Sequence, residues 1–285
     1  MLYTIESDNL KVTVNSMGAE LYSVICKKTN TELLWQGEAP FWGRRSPVLF
    51  PMVGRSKNNM YSCNGQQFEM GGHGFARDNE FTVTAEPNKL TFALKDTPAL
   101  RQVYPFAFLL EVIFTLDGSC LKAEYKITNP SDNENLVFAV GAHPGFNCQN
   151  ITDYYLEFEG MDALTCVKIT DDGLMSNETF QLCLQNGQLP ISYNLFEKYL
   201  TLVLVDTDVK KVALKSVKNS NTITMEFDAQ HFGVWTQPGA PFICLEPWDG
   251  LPDYQDFDGD YVNKRGNHIL PPGEVKSFWH SIYVN

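Results

Sequence analysis

The amino-acid sequence predicts an all-β fold, a sandwich or barrel of many short antiparallel strands with few short helices. Short segments in which apolar and polar residues alternate recur along the whole chain, and this period of two is typical of strands with one buried face. Turn-forming residues separate these segments, and helical patterns are sparse. Regularly spaced short strands favour a sandwich or barrel over βαβ units.

The predicted elements follow one another from the N-terminus. Strands are placed at the alternating runs LKVTV (10–14), LKAEYKIT (121–128), KVALKSV (211–217) and TITMEF (222–227). Turns are placed at 116–119, 129–133, 171–173 and 237–241. The run NPSDNEN after the second of these strands predicts a hairpin connection. The best helical pattern is 96–105, with Thr97 as candidate N-cap and Pro98 as candidate first residue.

Length and composition favour a single domain over residues 1–285. Apolar residues make up 44% of the chain and aromatic residues 13%, which is ample for a large core. The net charge of −12 argues against nucleic acid and against anionic membranes as partners. The sequence shows neither a signal-peptide pattern nor a membrane-length apolar run, and its seven cysteines are scattered without a C-x-x-C pair. We therefore expect a cytoplasmic protein with reduced thiols.

Two histidines stand among glycines. GGHGFARD (71–78) contains His73, and GAHPGFN (141–147) contains His143. Glycine permits unusual backbone dihedrals and the close approach of another molecule. Both histidines are therefore predicted to line a cleft rather than to fill the core.

A third informative run, FICLEPWDGLPD (242–253), places Glu246 at the end of an apolar strand. A carboxylate there is costly to bury unless it is paired or used, and the ordinary alternative is a surface glutamate. His73, His143 and Glu246 together allow three interpretations. They are a His₂Glu metal site, a nucleophile activated by histidine, or a general acid and general base.

The acid–base interpretation is the one the sequence favours. The metal site is weaker because the three residues lie 70 and 103 positions apart. The nucleophile is weaker because there is no G-x-S-x-G elbow, and Cys244 is expected to point opposite to Glu246. Histidine, with a pKa of about 6.5, and glutamate, with a pKa of about 4.3, suit proton transfer near neutral pH without a metal or cofactor.

The motifs GGHGFAR, GAHPGFN and LEPWDG make the sequence resemble the aldose 1-epimerase (mutarotase) superfamily, most closely its bacterial LacX-like branch, which is related to the hexose-phosphate mutarotases. The resemblance continues in order through 33–55, 104–118, 233–253 and 270–282. It implies a large antiparallel β-sandwich of the galactose mutarotase-like supersandwich type. It also implies a carbohydrate cleft on one face and interconversion of the α and β anomers of a hexose or hexose phosphate.

The resemblance implies roles for individual residues. Glu246 is the expected base that removes the proton of the C1 hydroxyl, and His143 is the expected acid that protonates the ring oxygen. The two groups are predicted to face each other across a gap one pyranose wide. Substrate-binding roles are expected for His73, Arg55, Arg77, Asn147 and Trp248.

Two features depart from the family pattern. Where the resemblance implies a sugar-anchoring aspartate, either the corresponding position is Tyr199 or the alignment shifts here, and Asp206 and Asp208 are the candidates to compensate. Phosphate-specific relatives use clustered arginines. Here Arg44 and Arg45 are adjacent, so on a strand at most one of them faces the cleft.

The predicted partner is a small sugar or sugar phosphate, bound by a monomer or homodimer without cofactor or metal. Candidates to stack on the sugar ring are Trp42, Phe75 and Trp248, although core packing explains each of them equally well. The alternative function is non-catalytic carbohydrate binding or sensing on the same fold. A polysaccharide lyase or hydrolase is a weaker third possibility.

Overall fold

The computed structural model describes residues 1–218 and 222–285, and strands dominate its architecture. The strands are β1 Leu2–Glu6, β2 Leu10–Asn15, β3 Glu20–Cys26, β4 Thr31–Glu32, β5 Val48–Leu49, β6 Met60–Cys63, β7 Gln66–Glu69, β8 Thr82–Glu86, β9 Lys89–Lys95, β10 Leu109–Asp117, β11 Cys120–Thr128, β12 Leu136–Phe138, β13 Val140–Ala142, β14 Gly145–Asn147, β15 Tyr154–Glu157, β16 Ala163–Ile169, β17 Met175–Cys183, β18 Gln188–Pro190, β19 Thr201–Leu204, β20 Lys211–Ser216, β21 Thr222–Phe227, β22 His231–Trp235, β23 Phe242–Asp249, β24 His268–Leu270 and β25 Val275–Val284. The helices are α1 Pro98–Arg101 and α2 Tyr193–Tyr199, with 3₁₀ turns at Lys57–Asn59, Ala76–Asp78, Ile151–Asp153 and Tyr261–Asn263. None of the helices in the described residues is long and apolar enough to cross a membrane.

Two large antiparallel sheets form the sandwich. One has the strand order β18-β15-β20-β21-β25-β11-β10-β9-β8, and the other has the order β17-β16-β19-β22-β23-β13-β5, with β14 also paired to β23. Buried side chains from both sheets, such as Ile127 of β11 and Leu245 of β23, belong to one hydrophobic core. The predicted large antiparallel β-sandwich with few short helices is therefore confirmed.

The period-two patterns mark strands correctly. The four predicted segments correspond to β2, β11, β20 and β21. Along β11 every second residue is buried, as expected for a strand with one face on the core. The short helix α1 begins as predicted: the Thr97 side chain accepts a hydrogen bond from the Leu100 amide at 3.2 Å, and Pro98 follows the cap.

The hairpin predicted after β11 is wrong. Strand β11 pairs with β10 and β25, so both of its edges are occupied, and β12 pairs with β24 instead. The Asn129 side-chain amide donates to the Leu270 carbonyl at 2.9 Å, which ties the start of this loop to β24. The turn-forming residues mark where β11 ends, but they do not determine which strand pairs with it.

Strand β23 positions the candidate site because both of its faces are covered. Ile243 and Leu245 point into the core between the sheets. Successive side chains on a strand point to opposite faces, so Cys244, Glu246 and Trp248 lie on the outer face. All eight residues of β23 are buried, so a charged side chain on this face is held away from bulk water.

Candidate active site

A cleft of about 340 Å³ lies on the outer face of the β23 sheet. Strands β16, β19, β22 and β23 each contribute a residue to its wall, and the loops around 54, 73, 143 and 173 complete it. The lining residues are Trp42, Gly54, Arg55, His73, His143, Ile169, Gly173, Thr201, Trp235, Glu246, Trp248 and Pro252. Five of the seven residues predicted for the site therefore lie here: His143, Glu246, His73, Arg55 and Trp248.

Glu246 lies at the base of this cleft with 1% of its surface exposed. Its strand neighbour on β22 is Gly233, whose missing side chain leaves room for the carboxylate: a Cβ there would stand 3.3 Å from the Glu246 Cβ. Within the described residues, neither carboxylate oxygen has a hydrogen-bond partner. Burial raises the pKa of the Glu246 carboxyl well above its ordinary value, and the nearby Trp248 side chain acts in the opposite direction.

His143 follows β13 and is also buried. Its Nε2 lies 3.2 Å from the Glu246 Oε2. Trp42 packs on the imidazole with ring centroids 4.8 Å apart, and Trp235 meets it edge-on at 5.7 Å. Burial lowers the pKa of His143 to about 3, and the charge of Arg77 adds to this effect. The two tryptophans fix the ring plane so that Nε2 faces the carboxylate.

The carboxylate and imidazole are neighbours on one wall, not groups separated by the width of a pyranose, so the predicted gap between them is wrong. A neutral imidazole beside a carboxylic acid contains the same number of protons as an imidazolium beside a carboxylate. Burial disfavours charge on each group, which favours the neutral pair. Transfer of one proton across the 3.2 Å contact produces the ion pair.

His73 is held in one tautomer by the backbone. The Gly54 amide donates to its Nδ1 at 3.1 Å, so the proton of the neutral ring resides on Nε2. His73 has a φ of +67°, and Gly74 follows with a φ of +71°. A Cβ on Gly74 would lie 2.3 Å from the Phe50 carbonyl oxygen, so this position requires glycine. Burial, followed by the nearby positive charges, lowers the pKa of His73 well below its ordinary value and keeps the ring neutral.

Arg55 reaches the cleft between two glycines. A Cβ on Gly72 would lie 3.1 Å from the Arg55 Cγ, and one on Gly173 would lie 3.4 Å from its Cδ. The arginine stem therefore runs through a groove that larger residues would narrow. Its backbone carbonyl accepts the Asp253 amide at 2.9 Å, which ties this arginine to the segment after β23.

Arg77 lies behind the His73 loop and is not among the residues that line the cleft. Its guanidinium donates to the Gly72 carbonyl at 2.6 Å, and its charge lowers the pKa of both cleft histidines. Arg44 and Arg45 diverge, and neither lines the cleft. Arg44 pairs with Asp78 at 2.6 Å, whereas Arg45 stacks over a tyrosine ring, Tyr22, at 3.4 Å.

Asn147 lies outside the candidate site. Its side-chain amide donates to the Glu32 and Leu34 carbonyls at 3.0 and 2.9 Å, which fastens β14 to the chain near β4. It lines a separate cavity of about 350 Å³. Proximity to His143 in sequence misled the prediction, because β14 carries the chain away from the cleft before Asn147 is reached.

The aromatic candidates separate into two groups. Trp42 and Trp248 line the cleft. Phe75 instead packs in the core against Phe50 and Tyr104, with ring centroids 6.2 and 5.8 Å away. Trp235 is a cleft residue that the sequence reasoning missed. Its position two residues after Gly233 was the available signal, because residues two apart on a strand share a face.

The fold shows where Tyr199, Asp206 and Asp208 lie relative to the cleft. Tyr199 ends α2 and stacks on Phe180 with ring centroids 3.9 Å apart, away from the cleft. Two residues later, Thr201 begins β19 and lines the cleft. Asp206 pairs with Arg265 at 2.9 Å instead, and neither it nor Asp208 is a lining residue. Thr201, rather than Asp206 or Asp208, therefore supplies a polar side chain to this part of the cleft wall.

Cys244 corrects one further expectation. Residues two apart on a strand share a face, so the prediction that Cys244 points opposite to Glu246 is wrong. Its sulfur belongs to a group with the His143 nitrogen and a Glu246 oxygen, in which all the atoms lie within 4.8 Å of one another. Trp35 and Phe242 pack beside it and keep it from solvent.

The fold and the residues of the cleft agree with the family that the sequence motifs indicate. A sequence model described as aldose 1-epimerase matches residues 1–283. The chain therefore belongs to the aldose 1-epimerase family, and the resemblance predicted from the motifs is confirmed.

Similar proteins include a LacX protein and two galactose mutarotase-related structures. The chromosomal LacX protein of Lactococcus lactis subsp. lactis is 31% identical over 266 residues, 88% of each chain. A galactose mutarotase related enzyme from Lactobacillus acidophilus is 34% identical, with a TM-score of 0.94 over 100% of this chain and 97% of that one. A galactose mutarotase-like protein from Lactobacillus casei is 29% identical, with a TM-score of 0.93 over the full length of both chains. Family and relatives support a carbohydrate epimerase function.

Proposed function

We propose that the protein is an aldose 1-epimerase that interconverts the α and β anomers of a hexose or hexose phosphate. The observation that carries this proposal is the 3.2 Å contact between His143 Nε2 and Glu246 Oε2 at the base of an open cleft. Buried carboxylate and imidazole groups with opposite pKa shifts are typical of acid–base sites.

Ring opening requires two proton transfers at neighbouring oxygens. Glu246, as carboxylate, removes the proton of the C1 hydroxyl, and His143, as imidazolium, protonates the ring oxygen. Both oxygens are bonded to the same carbon, so an acid and a base that lie side by side reach both of them. Rotation about the C1–C2 bond and reclosure with the roles exchanged inverts C1. The net charge of the pair is zero before the reaction and again after it.

Other cleft residues are suited to hold the sugar. The Nε2–H of His73 is available to donate to a sugar oxygen because Nδ1 is already occupied. Trp248 lines the cleft, and its indole N–H is a candidate donor to a sugar oxygen. Arg55 offers a rigid fork for vicinal hydroxyls or for a phosphate. The Trp42 ring supplies an apolar face beside His143.

Anomer exchange tests the proposal directly. The rate is measured by NMR exchange spectroscopy or polarimetry with glucose, galactose and their 6-phosphates, and compared with buffer alone. Glu246→Gln is expected to lower the catalysed rate about 10²- to 10⁴-fold. Glu111→Gln, which removes a carboxylate from an ion pair on β10, is the matched control and is expected to leave the rate unchanged.

Two results would contradict the proposal. One is an unchanged exchange rate in Glu246→Gln. The other is wild-type protein that binds one of these sugars by calorimetry yet exchanges its anomers no faster than buffer, in which case non-catalytic binding explains the cleft. A preference among the four compounds identifies the substrate, and a phosphate requirement that Arg55→Gln abolishes assigns the phosphate to that arginine.

A further inference from the structure

The acid–base pair has a third neighbour that the proposed reaction does not use. Cys244 places its sulfur with a His143 ring nitrogen and a Glu246 carboxylate oxygen, and these atoms all lie within 4.8 Å of one another. We propose that the three side chains form a binding site for a single thiophilic divalent cation such as Zn²⁺, and that the bound ion inhibits the enzyme by occupying its acid and base.

The donors are free to take an ion. Within residues 1–218 and 222–285, both Glu246 oxygens and the His143 Nδ1 are buried without a hydrogen-bond partner. Cys244 is 0% exposed and forms no disulfide. Buried polar atoms are normally satisfied, so a carboxylate that is 1% exposed and has only the 3.2 Å contact with His143 among its ion-pair contacts is unusual. A cation at this point would satisfy the carboxylate, and the other two donors would complete the site.

The geometry needs only a small adjustment. Zinc holds sulfur, nitrogen and oxygen ligands at about 2.0–2.3 Å, so the ligand atoms around one tetrahedral ion stand roughly 3.5 Å apart. Donor atoms within 4.8 Å reach that spacing if each moves by about an ångström or less. Cys244 and Glu246 share one face of one strand, so the backbone already fixes two of the three ligands.

The chemistry of the donor set selects the type of cation. Thiolate and imidazole favour Zn²⁺ and similar soft or borderline ions, whereas Mg²⁺ and Ca²⁺ favour oxygen ligands alone. Binding releases the thiol proton and the carboxyl proton to solvent. The ion and its two anionic ligands are then neutral as a group, which suits the apolar setting formed by Trp35, Trp42 and Phe242.

Access comes from the substrate side. His143 and Glu246 line the open cleft, whereas Cys244 lies beneath them. The fourth position of a three-ligand zinc ion therefore faces the cleft, where water or a sugar oxygen completes the coordination. A bound ion would occupy the lone pairs with which Glu246 and His143 accept protons, so neither group could transfer a proton to or from the sugar. Inhibition, though not binding itself, rests on the proposed function.

Binding is measured first and without turnover. Chelator-treated full-length protein is titrated with Co²⁺, which gives a thiolate-to-cobalt charge-transfer absorption when a cysteine coordinates it. We expect one equivalent of this absorption, displaced by Zn²⁺ and unaffected by Mg²⁺. Cys244→Ser is expected to abolish the absorption and to weaken Zn²⁺ binding about tenfold or more. Cys166→Ser, a buried cysteine on β16, and Cys183→Ser, an exposed one on β17, are expected to match wild type.

The second readout is inhibition. Zn²⁺ is expected to inhibit anomer exchange by the wild type, and Cys244→Ser to need about ten times more Zn²⁺ or more for the same inhibition. If Cys244→Ser does not fold, Glu246→Gln replaces it in the Co²⁺ titration, where it should weaken binding while Glu111→Gln does not. Wild-type protein without a thiolate-to-cobalt absorption, or an absorption that survives in Cys244→Ser, would overturn the inference. Cobalt binding without any measurable exchange would leave the metal site standing and count against the proposed function.

Discussion

Lys264 and Asp253 form a buried ion pair next in sequence to Pro252, a residue of the cleft wall, and replacing the lysine tests how much this pair stabilises the fold. Nζ and Oδ1 lie 3.1 Å apart, and the side chains are 2% and 6% exposed. The other Asp253 oxygen accepts the Lys57 amide at 2.9 Å, and the Asp253 amide donates to the Arg55 carbonyl at 2.9 Å. Burial lowers the pKa of Lys264, and the Asp253 carboxylate acts in the opposite direction.

The substitution Lys264→Met keeps the length of the side chain but leaves the Asp253 carboxylate buried without its cation. Breaking a buried pair in this way costs about 3–5 kcal/mol, because the surviving charge loses its partner without regaining water. An exposed pair gives the scale for comparison. Lys168 and Glu178 lie 3.0 Å apart but are 53% and 71% exposed, so Lys168→Met should cost less than about 1 kcal/mol.

Urea unfolding followed by far-ultraviolet circular dichroism measures both free energies. The double variant Lys264→Met/Asp253→Asn removes both charges and should recover most of the loss, since the cost comes from the unpaired carboxylate. The reasoning is refuted if Lys264→Met costs no more than Lys168→Met. It is also refuted if the double variant is less stable than the single one, because the cost of Lys264→Met would then not come from an unpaired Asp253 carboxylate.

Two further predictions concern backbone geometry and pH. Gly74 and Gly65 both have positive φ, of +71° and +78°, but only Gly74 has a neighbour at 2.3 Å from an added Cβ. Gly74→Ala should therefore lose clearly more stability than Gly65→Ala, by more than about 1 kcal/mol, and equal unfolding midpoints would contradict the clash. Burial lowers the pKa of His280 to about 4, whereas the unfolded value is about 6.5. Between these values the unfolded state binds a proton that the folded state does not, so stability falls by roughly 3 kcal/mol as pH drops through this window. His280→Phe should reduce the slope of unfolding free energy against pH, and an unchanged slope in urea titrations would exclude this histidine as its source.

Local pattern was sufficient to place strands because alternation and burial have the same physical cause. In β10 and β11 every second side chain enters the core, so the sequence period and the structural period coincide. Strand pairing was beyond local reasoning. The partners of β11 are β10, adjacent in sequence, and β25, at the other end of the chain. The local pattern of β11 does not indicate that its second partner is β25, which is far away in sequence.

The site divides in the same way. His73 and His143 were indicated by their glycine neighbours, and Glu246 by the apolar run before it. These local sequence settings are unusual whatever the tertiary structure is. Asn147 has no such unusual setting, and its side-chain amide donates hydrogen bonds to two backbone carbonyls instead of entering the cleft. Trp235 was missed because alternation gives two faces for β22 but does not say which one is the cleft.

Strand β23 explains why the proposed acid–base pair and the proposed metal site share the same residues. One face carries Ile243 and Leu245 into the core and fixes the strand. The other face must then present its side chains in a row, and Cys244 and Glu246 are consecutive members of that row. The rigidity that holds the carboxylate 3.2 Å from His143 also holds a thiol beside it. The same arrangement that would let Glu246 act on a sugar therefore leaves its carboxylate and the Cys244 thiol close enough together to bind a soft cation.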